Sequence, residues 1–406
     1  MDATVQGIFG RWYDAYRAQH GVSLSQHKAA VALMKCRTEA MGGHELTCPN
    51  DDYQTKCYHS CRHRSCPRCQ GGANHHWLEK MKSRLLACPH YHVVFTLPHE
   101  LNALWSYNRQ WCQDRLMRSA TETLRQLLSD ERFLSAEPGM VAALHTWGRT
   151  LSFHPHVHVL VTGGGMTGVQ WRAARQDYLV PAEVLKAKFR GKWMHWLSHA
   201  YEAGELRLPP DWSEGYWLRL RKGLWRRKWN VRIETQYRHG RGVAVYLSRY
   251  VKGGPIKDTR ILNANSRHIR FQYQDHRDGR HKLMSLAPGR FINRVLWHVP
   301  VPGRHVVRYY GLYAQKADRG YRRARALLGA EAVPAQDEPA REAAQPRCPV
   351  CGHRLQWVKT MGSNRNSIVR SGLVQPDVEV DARTRIERHR GVTGPPRSFL
   401  RSARAT

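Results

Sequence analysis

The stretch His154-Pro155-His156-Val157-His158-Val159-Leu160-Val161, followed by TGGG (162–165), carries the strongest structural signal in this 406-residue chain. Alternate residues of a β-strand share one face. The pattern therefore predicts a strand that presents its three histidines on one face and its valines on the other, and that ends in a glycine-rich turn. Neighbouring imidazoles on one face favour binding of a divalent metal ion. His92 or His145 could supply a further ligand, and the sequence does not decide between them.

The sequence around this strand predicts a mixed α and β region over residues 86–328. HYHVVFTLP (90–98) predicts a short strand that ends at its proline. Residues 102–128 are rich in leucine and contain neither proline nor glycine, which predicts a helix. RGVAVYLSRYVKGGP (241–255) predicts another helix, stopped by its two glycines and its proline.

The helix predicted over 241–255 contains two tyrosines with helical spacing. Tyr246 and Tyr250 stand four residues apart, so both phenols lie on one side of a helix. Such a pair usually packs in a core, but near a metal ion a tyrosine hydroxyl can become a nucleophile. Arg249 and Lys252 are close enough in sequence to help hold phosphate charge.

Residues 1–85 contain six of the ten cysteines and form a candidate zinc-binding domain. Cys66-Pro67-Arg68-Cys69 has the C-x-x-C spacing with which two thiolates grip one tetrahedral Zn²⁺. We expect Cys48 and Cys61 to complete that site. Cys36, His44 and Cys57 are candidates for a second ion, so the sequence predicts one or two structural zinc ions.

The C-terminal region, residues 329–406, has a different composition. AEAVPAQDEPAREAAQP (330–346) predicts a linker, and the basic residues beyond it predict a loosely ordered tail. Cys348-Pro349-Val350-Cys351 is another C-x-x-C, but one such pair is only half of a zinc site.

The charge of the chain indicates a polyanionic partner. Sixty-five Lys and Arg residues face 32 Asp and Glu residues, which gives a formal net charge of +33. With 14 Trp and 17 Tyr available to stack on bases, nucleic acid is the leading candidate. No apolar run is long enough to span a membrane, and the N-terminus lacks the apolar core of a signal peptide. We therefore expect a cytoplasmic protein with no membrane partner.

Taken together, these motifs resemble the HUH endonuclease superfamily, whose name denotes a His-hydrophobe-His motif. Here that motif is His156-Val157-His158, and VVFTLP (93–98) resembles the first strand motif of the superfamily. Tyr246 and Tyr250 match its two-tyrosine branch. The chain is most similar to rolling-circle insertion-sequence transposases with an N-terminal zinc-binding domain, on the segments GGHELTC (42–48), SCRHRSCPRCQ (60–70), HTWGRTLSFHPHVHVLVTGGG (145–165), VYLSRYVKGGPI (245–256) and VRYYGLY (307–313).

The resemblance implies an α+β fold in which helices flank a central antiparallel sheet, preceded by a small zinc-binding domain. It also implies that His156 and His158 bind Mg²⁺ or Mn²⁺. Tyr246 and Tyr250 would form 5′-phosphotyrosine links with single-stranded DNA at element ends and in the target. The free 3′-OH could prime synthesis by host replication proteins. One departure is Cys48-Pro49-Asn50-Asp51, where the family usually has C-x-x-C, so that Asp51 or Cys57 could take the place of a thiolate.

Two other functions fit parts of the sequence. A plasmid replication initiator or relaxase would share the catalytic motifs, although the cysteine-rich N-terminus and VRYYGLY favour a transposase. A zinc-finger DNA-binding protein without catalysis would explain the charge and the cysteines. It would leave the alternating histidines and the tyrosine pair without a role.

Overall fold

Ten α-helices and twelve β-strands make up the fold, as seen in a computed structural model that describes residues 3–175, 179–234, 236–238, 241–251, 254–275, 277–329 and 346–363. Within the helices, the description excludes the side chains of Gln70, Tyr246, Arg249, Tyr250 and Val251. The helices are α1 (Val5–Gln19), α2 (Leu24–Lys35), α3 (Gln70–Arg84), α4 (Asn102–Tyr107), α5 (Arg109–Leu128), α6 (Ala182–Glu202), α7 (Glu214–Arg226), α8 (Arg241–Val251), α9 (Pro288–Trp297) and α10 (Asp318–Leu327). The strands are β1 (Gly43–Thr47), β2 (Gln54–Tyr58), β3 (His90–Thr96), β4 (Glu137–Trp147), β5 (Phe153–Thr167), β6 (Gln170–Ala173), β7 (Asn230–Ile233), β8 (Ile261–Ala264), β9 (Ile269–Gln274), β10 (His281–Leu286), β11 (Val307–Gly311) and β12 (Gln356–Met361).

A six-stranded sheet lies at the centre of the molecule. Its strand order is β11-β4-β5-β3-β7, and β6 pairs with the end of β5. Every pairing in this sheet is antiparallel. The α+β class with an antiparallel sheet, predicted from the sequence, is therefore confirmed.

One face of the central sheet packs against α5 and α6. Val157, Val159 and Val161 of β5 lie in this apolar layer, as the alternation of the sequence predicts. Phe95 of β3 meets Phe189 of α6 edge to face, with 5.0 Å between ring centroids, and both side chains are fully buried. Burial of this apolar face accounts for most of the packing that holds the sheet and these helices together.

The opposite face of the sheet carries the histidines and packs against α8. Leu160 of β5 and Val141 of β4 share a buried cluster with Val243 and Leu247 of α8. Tyr313 of the VRYYGLY segment is fully buried in the same cluster, and its hydroxyl lies 2.8 Å from Nε2 of His90. This layer fixes α8 beside the strands that bear the histidines.

Two smaller sheets bring distant parts of the chain together. β8, β9 and β10 form one sheet, and residues of that sheet and of α9 share a buried cluster with α1 and α2. The other sheet has the order β12-β1-β2, so that residues 356–361 pair with the cysteine-rich N-terminal region. The described part of the C-terminal region is thus folded onto the start of the chain, in contrast to the loose order expected there. Residues 364–406 lie outside the described residues.

Two local expectations are wrong for identifiable reasons. The expected helix over 102–128 is broken at Asn108, whose backbone is not helical (φ −131°, ψ 43°) and whose side chain bonds the backbone of Leu104 and Arg207. The expected turn at 162–165 is strand, because β5 runs on to Thr167 and pairs with β6. A β-carbon at Gly164 would lie 2.5 Å from the Trp171 ring, and one at Gly165 would lie 2.5 Å from the Glu137 carbonyl oxygen. Glycine therefore serves close packing here.

Within the described residues, no helix is both long enough and apolar enough to cross a membrane.

Replacing Phe95 by alanine should lower the free energy of unfolding by about 3–5 kcal/mol, because it removes a fully buried ring and leaves a cavity. Urea denaturation followed by tryptophan fluorescence would measure this loss. Val169→Ala is the control, since that side chain is 57% exposed and its loss should cost less than about 0.5 kcal/mol. Equal effects of the two substitutions would contradict the packing described for Phe95.

Candidate active site

Three histidines from two neighbouring strands converge on the α8 face of the central sheet. His145 of β4 lies opposite His156 of β5 in the antiparallel register, and His158 follows two residues later on the same face. One ring nitrogen of each residue lies within 4.8 Å of the others, a separation that suits three ligands of one metal ion. Of the two further ligands that the sequence left open, His145 therefore joins the pair. His154 is exposed and does not belong to this group.

Hydrogen bonds orient two of the three imidazoles. Nδ1 of His156 donates to the carbonyl oxygen of His154 over 2.7 Å, which leaves the lone pair of that ring on Nε2. Nδ1 of His158 lies 2.8 Å from Nε2 of His92 on the adjacent strand β3. His92 thus contacts a candidate ligand and positions its ring, as outer-shell partners do in metal sites.

Burial favours the neutral, metal-binding form of His92 and of the three histidines in the group. Removal from water lowers the pKa of His92 and the pKa of His156 to about 4. The same desolvation, with the charge of neighbouring histidines as a smaller contribution, lowers the pKa of His145 and of His158 well below the ordinary value of imidazole. At neutral pH these rings carry lone pairs, which is the donor set of an imidazole metal site.

The helix that carries the tyrosine pair lies against this face. Val243, Ala244 and Leu247 of α8 pack on the sheet, and Tyr246 and Tyr250 are part of the same helix, one turn apart. The side chains of Tyr246, Tyr250 and Arg249 lie outside the description, as does the whole of Lys252. The candidate roles of these four residues stay predictions from the sequence.

Four cysteines form a compact group at the start of α3 and the end of α2. They are Cys36, Cys61, Cys66 and Cys69, and their sulfur atoms lie within 4.8 Å of one another. Sγ of Cys69 is 3.5 Å from Sγ of Cys36 and 3.7 Å from Sγ of Cys61. Four converging thiols suit one tetrahedral Zn²⁺.

The structure groups the cysteines differently from the sequence-based assignment. Cys36 stands beside Cys61, Cys66 and Cys69, in the place expected for Cys48. Cys48 lies in a second group with Asp52, Cys348 and Cys351. Neither His44 nor Cys57 belongs to a metal-binding group among the described residues. Nδ1 of His44 instead lies 3.3 Å from Nε1 of Trp357 on β12.

The segment that leads into Cys66 also contacts Gly254, which follows α8 in the chain. Ser65 directly precedes Cys66, and its carbonyl oxygen would lie only 2.5 Å from a β-carbon at Gly254. The chain can pass this closely only because residue 254 has no side chain. The residue before Cys66 is thus in tight backbone contact with a residue three positions after the end of α8.

Comparisons with known proteins identify relatives of this chain. Residues 139–320 match a family described as "Putative transposase", and residues 8–97 match a family described as "Transposase zinc-binding domain". The chain is similar to the "Putative transposase y4qJ" of Sinorhizobium fredii (strain NBRC 101917 / NGR234), with 34% identity over 97% of this chain and 98% of that protein. It is also similar to the "Transposase for insertion sequence element IS801" of Pseudomonas savastanoi pv. phaseolicola, with 32% identity over 71% of this chain and 70% of that protein.

The chain belongs to the IS91/IS801 family of transposases.

This transposase family moves its elements by a rolling-circle mechanism and acts on DNA. The chain is therefore an enzyme that cleaves and joins DNA. Family membership favours the transposase over the two alternatives, a plasmid replication initiator or relaxase and a zinc-finger protein without catalysis. No solved structure matches the transposase significantly.

Four functional candidates were missed or left open by the sequence. Asp52 was overlooked in favour of Asp51, because the usual C-x-x-C spacing points to the latter. Cys348 and Cys351 were recognised only as half a site. Both Cys48 and Cys348 are followed by proline, but so are Cys66 and Cys88, so the sequence does not single out this pairing. His145 could be chosen only from the register between β4 and β5.

Replacing Cys66 and Cys69 of the transposase by serine should remove about one zinc ion per chain and loosen the packing of α1 and α2, because a structural zinc contributes folding free energy. Zinc measured by elemental analysis, together with the thermal melting curve, would test this. Cys112→Ala is the control, since Cys112 is a buried thiol outside both cysteine groups. Unchanged zinc content in the double variant would rule out this group as a zinc site.

Proposed function

We propose that this transposase nicks and joins single-stranded DNA at the ends of its element, with Tyr246 and Tyr250 as nucleophiles and with Mg²⁺ or Mn²⁺ at the histidine site. The observation that carries the proposal is the group formed by His145, His156 and His158 on the face of the sheet against which α8 packs. It supports the proposal because the helix that carries the two tyrosines packs, through Val243 and Leu247, against the sheet face that bears the histidines.

The histidines fit a divalent ion by their chemistry. His156 and His158, with His145 as the third ligand, would hold it through neutral ring nitrogens, and His92 would orient His158. When bound, such an ion supplies Lewis-acid polarisation and orientation of the scissile phosphate. Three protein ligands leave open positions for phosphate oxygens, as in other catalytic metal sites.

The tyrosines would carry the covalent step. The hydroxyl oxygen of one tyrosine attacks phosphorus, a 5′-phosphotyrosine bond forms, and the bond from phosphorus to the 3′-oxygen breaks. The departing strand takes up a proton and ends in a 3′-OH, which can prime synthesis by host replication proteins. A second tyrosine on the same helix would permit a second cleavage before the first link is resolved, as transfer of a strand to target DNA requires. Arg249 and Lys252 remain candidate contacts to phosphate.

A basic helix with an exposed aromatic residue supports single-stranded DNA as the substrate. α7 contains Arg219, Arg221, Lys222 and Arg226, and its Trp225 is 46% exposed. The guanidinium carbon of Arg190 lies 5.9 Å from the centre of the Trp225 ring. Cationic and aromatic side chains in this combination bind the backbone and stack on unpaired bases. We place this activity in the bacterial cytoplasm, where the element's DNA resides.

Replacing both Tyr246 and Tyr250 by phenylalanine should abolish covalent protein–DNA adducts, because phenylalanine keeps the ring but lacks the attacking oxygen. The assay incubates the protein with labelled single-stranded DNA that carries the element's ends, in Mg²⁺ or Mn²⁺, followed by a denaturing gel. The single variants would show which tyrosine attacks first. Tyr216→Phe on α7 is the control and should form adducts as the wild type does. Adducts that persist in the double variant would overturn the proposal.

Replacing His156 and His158 by alanine should lower metal-dependent nicking by about 100-fold or more, since Lewis-acid stabilisation is worth several kcal/mol. DNA binding should remain within about threefold, because basic residues supply most of the affinity. Nicking rates and a filter-binding assay would separate the two effects. His195→Ala, at an exposed position on α6, is the control. Nicking at the wild-type rate in the double variant would show that these two histidines do not hold the catalytic metal ion.

A further inference from the structure

Four potential metal ligands come together from two segments that are far apart in the sequence. Sγ of Cys48 lies 3.2 Å from Sγ of Cys351, although the two residues are 303 positions apart in sequence. Sγ of Cys348 lies 3.3 Å from Oδ1 of Asp52. One atom from each of the four residues falls within 4.8 Å of the others, which is the spacing of ligands around a single ion.

The two halves of this group share two backbone hydrogen-bonding features. The amide of Cys48 donates to the carbonyl of Tyr53, and the amide of Cys348 donates to the carbonyl of His353, each over 2.8 Å and five residues along the chain. In each half the amide two residues after the first cysteine points to its sulfur, from Asn50 over 3.5 Å and from Val350 over 3.4 Å. Amide hydrogen bonds of this kind stabilise a thiolate.

The turns differ in where the chain becomes left-handed, and the difference accounts for the position of Asp52. Asp51 has a φ of 54°, a left-handed conformation, at the third residue after Cys48. In the other turn the left-handed residue is Gly352, one position later, with a φ of 74°. The ligand therefore stands at the fourth residue after Cys48 but at the third residue after Cys348. A carboxylate at position 52 reaches the thiols, whereas Asp51 belongs to no metal-binding group among the described residues.

The residues packed around the group hold its sulfur atoms in a defined arrangement. Leu46 and Leu355 form a small buried cluster with Cys48 and Cys348, directly beside the pairing of β1 with β12. Nδ1 of His353 lies 3.3 Å from Sγ of Cys351, the position of an outer-shell partner to a thiolate. The sulfurs are thus held in place by strands, apolar side chains and hydrogen bonds together.

We infer that Cys48, Asp52, Cys348 and Cys351 bind a second zinc ion, which fastens residues 346–361 to the N-terminal sheet. Three thiolates and one carboxylate form a tetrahedral set that favours Zn²⁺ over Mg²⁺ or Mn²⁺. The C-terminal C-x-x-C is then half of a site whose other half lies near the N-terminus. This inference concerns the metal content of the folded chain and does not depend on the proposed tyrosine chemistry.

Alkylation of the wild-type protein tests the site without any substitution. The zinc-loaded protein is treated with iodoacetamide at increasing chelator concentrations, and labelled cysteines are identified by peptide mass spectrometry. Cys48, Cys348 and Cys351 should all be protected from labelling before chelation, and all three should become reactive at the same chelator concentration. Cys351 and Cys57 are both partly accessible to solvent. If iodoacetamide labels Cys57 but not Cys351, the protection of Cys351 therefore reflects metal ligation and not burial. Labelling of Cys351 as fast as Cys57 before chelation would overturn the inference.

Zinc content of matched variants provides a second test. Cys348→Ser combined with Cys351→Ser should lower the zinc content by about one ion per chain. The zinc ion of the other group, formed by Cys36, Cys61, Cys66 and Cys69, should stay bound. Asp52→Asn should lose zinc at a lower chelator concentration than the wild type, and Asp51→Asn should match the wild type. Full zinc content in the double cysteine variant, or equal effects of the two aspartate variants, would show that the four residues do not bind zinc as described.

Discussion

The antiparallel pairing of β4 with β5 is the constraint on which the proposed chemistry depends. Its register sets His145 opposite His156, while the two-residue period of β5 puts His158 on the same face and the valines on the other. A shift of one residue would turn the histidines towards α5 and α6 and the valines towards α8. Burial of the valine face therefore fixes the position of the histidines, so that packing on one side of the sheet determines the metal-binding geometry on the other.

Much of the fold and of the candidate site follows from local sequence patterns. The strand of histidines, the strand at 90–96 and the helix with two tyrosines could each be predicted, because residue period and stop signals act over a few neighbours. The break at Asn108 and the strand through the three glycines could not. In both places a contact with a distant segment, Arg207 in one case and Trp171 in the other, outweighs the local preference.

Ligand sets were harder to predict than ligand types. Cysteine and histidine at metal-binding spacing were evident, but which residues share an ion depends on how strands pair and how the chain returns. Cys36 and Cys48 are only twelve residues apart, yet they belong to different groups. Cys48 directly follows β1, and the pairing of β1 with β12 brings it close to Cys348 and Cys351. Asp52 was hidden for a related reason, because the left-handed conformation of Asp51 shifts the ligand by one position.

The pairing of β12 with β1 also has a consequence for the order of events during synthesis. The ribosome synthesises β1 early. Its partner strand β12 ends at Met361 and is synthesised only after all strands of the central sheet. Contacts of such long sequence separation form late, because the intervening chain must first be closed into a loop. The N-terminal sheet consequently keeps an open edge throughout translation of the catalytic strands. It becomes complete only in a polypeptide that has been translated beyond Met361.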